Sequence, residues 1–188
     1  MTTHSRRSLA AGAVALMAGA AMTLGLLGPA AASPGAASPA KRAVSAELVT
    51  LRLASDPGQV ADVAGASGDD GAEVVQWALN GQENQRWEPE ATGSGYYRFK
   101  AEHSGKCLNV WGASNDDGAR IIQWPCGTDD NEQWKLVPKG VGYQLVVKSS
   151  GKCLNVEGGA GQGRNLIQYT CSADGETNDV WLPVWETV

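Results

Sequence analysis

The sequence predicts an all-β domain made of three tandem copies of one unit. Trp87, Trp134 and Trp181 stand 47 residues apart, and each comes three residues after an asparagine, Asn84, Asn131 and Asn178. A fixed period carrying the same polar–aromatic pair marks an internal repeat. Gly105-Lys106-Cys107-Leu108-Asn109-Val110 returns as Gly151-Lys152-Cys153-Leu154-Asn155-Val156, with a weaker copy at Gly58-Gln59-Val60-Ala61-Asp62-Val63. A second block reads Val74-Val75-Gln76-Trp77, then Ile121-Ile122-Gln123-Trp124, then Leu166-Ile167-Gln168-Tyr169. Short apolar runs broken by Gly, Asn and Asp, in a chain with 24 glycines, are the punctuation of strands and turns.

The first 43 residues stand outside the repeat. Arg6-Arg7 precedes an uncharged stretch from Leu9 to Leu27, and Ala30-Ala31-Ala32 follows. A charged start, an apolar middle and a small-residue exit describe an export signal over residues 1–32, cleaved near Ala32. An uncleaved anchor is the alternative, but Ala and Gly make the run only weakly hydrophobic. Ser5-Arg6-Arg7-Ser8-Leu9 fits a twin-arginine signal loosely, so the general and twin-arginine routes both stay open. Residues 33–43, rich in Ala, Pro and Ser, read as a disordered leader.

Residues 44–188 hold the three copies, at about 44–100, 101–147 and 148–188. Such a length suffices for one domain with its own core and leaves no room for a second. One copy of short strands cannot bury an apolar face; three closing on each other can. The matched Leu, Val and Ile positions would fill that interior, and the three period-47 tryptophans belong there as well. The whole chain carries 15 basic and 20 acidic residues. Cleavage after residue 32 would remove only Arg6 and Arg7, leaving 13 basic against 20 acidic residues, a net −7. An acidic chain without a basic stripe excludes nucleic acid and anionic membranes as partners.

Four cysteines, Cys107, Cys126, Cys153 and Cys171, admit three pairings. The repeat selects Cys107–Cys126 and Cys153–Cys171, which occupy matched places in copies two and three. Copy one holds Val60 and Leu79 there, an expected apolar contact in place of a bridge. An exported protein meets oxidising conditions, which favours disulfides. Four-cysteine zinc is the other reading, and the lack of a close Cys pair speaks against it. The turn between the blocks is Asp69-Asp70-Gly71 in copy one, Asp116-Asp117-Gly118 in copy two and Gly161-Gln162-Gly163 in copy three. Paired aspartates raise calcium, but the shared feature is glycine where a hairpin needs positive φ. No metal or other cofactor is expected.

Gly-Lys-Cys-Leu-Asn-Val, Gln123-Trp124-Pro125-Cys126 and Asn131-Glu132-Gln133-Trp134 together resemble the ricin B-type lectin repeat, and Asn84-Gln85-Arg86-Trp87 carries its Gln-x-Trp signature. The resemblance spans about 45–188. It implies a β-trefoil, with four strands per copy, six of them forming a barrel and three hairpins capping it. It also implies a lectin that binds neutral sugars through an Asp, an aromatic and an Asn in each copy. Carried over by position, these are Asp62, Trp77 and Asn84 with Gln85 as support, then Asn109, Trp124 and Asn131, then Asn155, Tyr169 and Asn178. The chemistry is apt: an aromatic face stacks on sugar C–H groups, and a carboxylate can take two adjacent hydroxyls.

Copies two and three depart from the pattern, with Asn109 and Asn155 in place of the aspartate and Glu132 and Asp179 in place of Gln85. Copy one is therefore expected to be the strongest site. Gln76, Gln123 and Gln168 lie directly before the aromatic rather than two before it, and one residue reverses the face of a strand. His103 is the one histidine beyond the signal and has no nucleophile or acid patterned around it, so no catalytic residue is assigned. The expected activity is a secreted, non-enzymatic carbohydrate-binding protein whose partners are galactose- or xylose-containing glycans. A secreted protein-binding trefoil, such as a protease inhibitor, is the alternative.

Overall fold

The computed structural model describes residues 47–174 and 178–186. The expected export signal and leader lie outside the described residues. No helix among the described residues is long and apolar enough to cross a membrane.

Twelve strands follow one another: β1 (Leu48–Leu53), β2 (Asp56–Val63), β3 (Val74–Ala78), β4 (Trp87–Gly93), β5 (Tyr96–Ala101), β6 (Cys107–Val110), β7 (Ile121–Trp124), β8 (Trp134–Lys139), β9 (Gly142–Val147), β10 (Cys153–Val156), β11 (Leu166–Tyr169) and β12 (Trp181–Glu186). Antiparallel pairing runs β1–β4–β5–β8–β9–β12 and returns from β12 to β1, so six strands close a barrel. Closure removes the free edges of those strands. The other six form the hairpins β2–β3, β6–β7 and β10–β11. This is a β-trefoil. By equivalent strands, copies two and three open at Tyr96 and Gly142, one strand before the boundaries near 101 and 148 expected from sequence. The sequence motif starts only at Gly-Lys-Cys, after β5 and β9, and those strands share no motif of their own.

The hairpins send trios from matched places into the core, Ala61, Leu108 and Leu154, then Val63, Val110 and Val156, then Val74, Ile121 and Leu166, where they meet Leu51, Leu53, Phe99, Leu145 and Val147 of the barrel strands. Trp87, Trp134 and Trp181 are fully buried among them. Each donates its indole N–H to a carbonyl, of Ala61 at 3.3 Å, Leu108 at 3.0 Å and Leu154 at 3.0 Å. Buried indoles need such a partner, and the bond fixes each ring against its own hairpin.

Both disulfides join the expected cysteines, Cys107–Cys126 and Cys153–Cys171. In copy one Val60 is buried and Leu79 is exposed, and a bond from the Leu79 N–H to the Gly58 carbonyl at 2.8 Å closes the corresponding loop. Gly71, Gly118 and Gly163 all have positive φ, of 82°, 86° and 76°. The acids beside them form ion pairs between copies, Asp70 with Lys106 at 2.9 Å and Asp117 with Lys152 at 2.7 Å.

Gln76, Gln123 and Gln168 are buried and tie each copy to its neighbour. The Gln123 amide donates to the Ser67 and Asp69 carbonyls, at 2.7 and 2.9 Å. Gln168 does the same to Ser114 and Asp116, at 2.8 and 2.9 Å. Gln76 closes the ring by accepting the Gly161 N–H at 3.0 Å. Their position one residue from the aromatic turns them inward, away from the face that carries Trp77, Trp124 and Tyr169.

Candidate functional site

Each hairpin carries a shallow depression built from equivalent parts. In copy one it has a volume of 500 Å³ and is lined by Asp62, Trp77, Asn80 and Asn84. In copy two it has 910 Å³ and includes Asn109, Trp111, Trp124, Asn131 and Glu132. In copy three it has 540 Å³ and includes Asn155, Tyr169 and Asn178. The three expected residues of every copy thus come together, and Gln85 lies behind Asp62.

The walls are aromatic. Trp77 stands one residue before the end of β3, and Trp124 and Tyr169 end β7 and β11, at 40%, 43% and 47% exposure. The floors are polar and buried, except that Asn178 is only partly so. In copy one the Asn84 amide nitrogen donates to Asp62 Oδ1 at 2.9 Å and to the Val63 carbonyl at 3.0 Å. Gln85 donates to Asp62 Oδ2 at 2.8 Å and to the Ala78 carbonyl at 2.9 Å, while accepting the Asn80 N–H at 2.8 Å. In copy two Asn131 donates to Asn109 Oδ1 at 2.8 Å and to the Val110 carbonyl at 2.9 Å. In copy three Asn178 donates to Asn155 Oδ1 at 2.8 Å and to the Val156 carbonyl at 3.0 Å.

The carboxylate of each floor has two possible places. Copy one has it at Asp62, with the amide Gln85 behind. Copies two and three have the amide in front and the acid behind, as Asn109 with Glu132 and Asn155 with Asp179. The residue behind always accepts a loop N–H: Glu132 takes that of Gly127 at 2.8 Å and Asp179 that of Ser172 at 3.0 Å. Glu132 also faces Arg98 at 3.7 Å, and Arg98 in turn donates to the Gly127 carbonyl. This fixes the loop that rims copy two. Burial pushes the Asp62 carboxyl above the ordinary carboxylate range, against the hydrogen bonds of Gln85 and Asn84 and the charge of His103. Burial likewise raises Glu132, opposed by the Gly127 N–H and by Arg98.

Trp111 was not among the expected site residues. It is 56% exposed and forms a second aromatic wall of the copy-two depression. Copies one and three have Ala64 and Glu157 at that place, and copy two has the largest of the three volumes. The Trp111 ring lies so close to Gly71 that a Cβ there would come within 3.1 Å of it. Among the described residues no three His, Cys, Asp or Glu side chains gather as a metal cage.

Three wet depressions, each with one aromatic face and a preorganised polar floor on a closed barrel, define a β-trefoil with lectin-like surface sites. The chain belongs to the ricin-type β-trefoil lectin domain-like family, whose model matches residues 42–124, 91–169 and 130–185. It is similar to the designed three-fold symmetric protein ThreeFoil, at 42% identity and a TM-score of 0.69, over 73% of this chain and 97% of that one. It is also similar to the exo-β-1,3-galactanase 1,3Gal43A from Clostridium thermocellum, at 30% identity and a TM-score of 0.69, over 76% of this chain but only 30% of the galactanase. The Rhizoctonia solani agglutinin, at 18% identity and a TM-score of 0.66 over 75% of this chain and 96% of that one, shares the fold. Comparison with the curated proteins gives no match. The family supports carbohydrate binding as the general activity.

Proposed function

We propose that this protein is exported, with cleavage near Ala32, and binds neutral sugars or polysaccharide at the three hairpin depressions. Asp62, Trp77 and Asn84, Asn109, Trp124 and Asn131, and Asn155, Tyr169 and Asn178 contact the sugar, with Gln85 holding Asp62. The observation that carries this reading is the threefold recurrence of a half-exposed aromatic beside a buried, hydrogen-bonded polar floor. A sugar ring fits that pair of surfaces, since its C–H face stacks on the aromatic and its hydroxyls meet the floor. Two disulfides suit an extracellular setting. Shallow sites bind single sugars weakly, so contact at several sites along one polysaccharide raises the apparent affinity.

A glycan array on the mature chain, with competition by free galactose, xylose and their oligomers, tests this. Binding that the free sugars displace is the expected result. No glycan bound, together with inhibition of a protease or capture of a partner protein, would replace the lectin reading with the protein-binding one.

A further inference from the structure

Asn80 and Gly81 form the one Asn-Gly step in the chain. Both are exposed, in the loop that follows β3, and Asn80 lines the copy-one depression. Gly127 and Ser172 hold the equivalent place in copies two and three. Each of the three gives its N–H to the residue behind its floor: Asn80 to Gln85, Gly127 to Glu132 and Ser172 to Asp179. Copy one alone therefore has a side-chain amide at this point.

An asparagine followed by glycine can react with its own backbone. The glycine nitrogen attacks the side-chain carbon Cγ and closes a five-membered ring. Three things ordinarily oppose this: the backbone N–H is spent in a hydrogen bond, the next side chain shields it, and nothing holds the charge that gathers on the attacked oxygen. The loop lifts all three. The Gly81 N–H has no hydrogen-bond partner among the described residues, so the attacking nitrogen is uncommitted. Gly81 carries no Cβ to shield that nitrogen, and its φ of 77° disfavours every other residue. Asn80 Oδ1 accepts the Gln82 N–H at 2.9 Å, and a donor aimed at that oxygen stabilises the negative charge it gains on attack. The loop is also held on both sides of the reacting atoms, by the Asn80 N–H bond to Gln85 and by Arg86 on the Gly81 carbonyl. The departing Nδ2 has no partner among the described residues and belongs to an exposed side chain.

We propose that Asn80 is a self-modification site of the folded protein, converted through a succinimide to aspartate or isoaspartate, and that the change falls on copy one alone. In the first step a bond forms from Gly81 N to Asn80 Cγ and the Cγ–Nδ2 bond breaks. Nδ2 leaves as ammonia, taking the proton that Gly81 N gives up. In the second step water adds to one of the two ring carbonyls and the ring C–N bond opens there. Opening at Cγ leaves an aspartyl side chain. Opening at the main-chain carbonyl leaves an isoaspartyl link, with Cβ and Cγ now part of the main chain. Nothing is oxidised or reduced. Either product adds a negative charge to the depression that already holds Asp62. The isoaspartyl link also lengthens the loop whose Asn80 N–H fixes Gln85 against Asp62. The conversion itself does not depend on the carbohydrate-binding reading.

The 15N-labelled mature chain, kept folded in warm neutral buffer and sampled over time, tests this. Peptide mapping by mass spectrometry reads the loss of the amide at position 80, isoelectric focusing reads the added charge, and indole N–H signals report the copies separately. Position 80 is expected to convert before any other asparagine. The Trp77 signal should shift with the conversion, while those of Trp124, Trp87, Trp134 and Trp181 stay in place. Asn80→Ser, the residue type that copy three has at this place, should give no acidic species over the same period. An Asn80 left intact in the folded chain after the same chain in urea and reductant has converted would show that the loop protects it, and would overturn the proposal. So would an acidic species that persists in Asn80→Ser, or a conversion at position 80 that leaves Trp77 unmoved. All three results are read without a saccharide, so they leave the lectin reading to its own test.

Discussion

Asp62→Asn tests the floor of copy one by setting two donors against each other. Asn84 is pinned by Val63 and needs an oxygen at Asp62 Oδ1. The new amide must then turn its NH2 toward Gln85, whose own NH2 now donates to Asp62 Oδ2 at 2.8 Å. Flipping Gln85 only moves the conflict, because its oxygen accepts the Asn80 N–H at 2.8 Å. One buried donor is left unpaired, which costs about 1–3 kcal/mol. The neutral side chain escapes the burial penalty that raises the Asp62 carboxyl, so the lower half of that range is expected. At about 2–4 °C per kcal/mol for a domain of this size, the melting temperature should fall by roughly 2–8 °C. Adding Gln85→Glu recreates the Asn109–Glu132 arrangement of copy two and should recover at least half of the fall. Scanning calorimetry on the parent and both variants reads this. An Asp62→Asn melt at or above the parent, or a double variant below the single one, would refute the argument.

Trp87→Ala removes a fully buried indole and its bond to the Ala61 carbonyl, and should cost about 3–5 kcal/mol by denaturant titration. Trp77→Ala, at a ring 40% exposed, should cost far less stability while weakening glycan binding by calorimetry. Non-reducing peptide mapping should find Cys107–Cys126 and Cys153–Cys171, and removing either bridge should lower stability by about 3 kcal/mol. Glu132 has its carboxyl raised by burial, so the folded chain binds that proton more tightly than the unfolded one. The stability it contributes is present at low pH and lost as pH rises from the ordinary 4.5 through the raised folded value. The melting temperature of the parent relative to Glu132→Gln should therefore rise as pH falls from about 7 to about 4.

The repeat made the barrel and the core tryptophans legible, because every copy must supply them, and both bridges legible, because copies two and three place their cysteines at matched positions. The same filter hid Trp111: it occurs in one copy, and a reading that compares copies discards what they do not share. Gln76, Gln123 and Gln168 could be set aside as ligands from their offset alone, but their grip on a neighbouring copy is a long-range contact that no local pattern encodes. The orientation of the Asn109 amide was equally out of reach. Sequence shows an amide with two faces, and only the Val110 carbonyl, held by the strand beneath, decides which face is spent.

The three glutamine links are alike in space and unlike along the chain. Two span 52 to 56 residues, and the third, from Gln76 to Gly161, spans 85. Joining points that far apart costs about 0.4 kcal/mol more in chain entropy than joining points 54 apart, a small but one-sided penalty. A symmetric ring made from an open thread thus has a seam. Folding would reach it last, and a circular permutant cut between β4 and β5 would shift that seam to another pair of copies without altering a single contact.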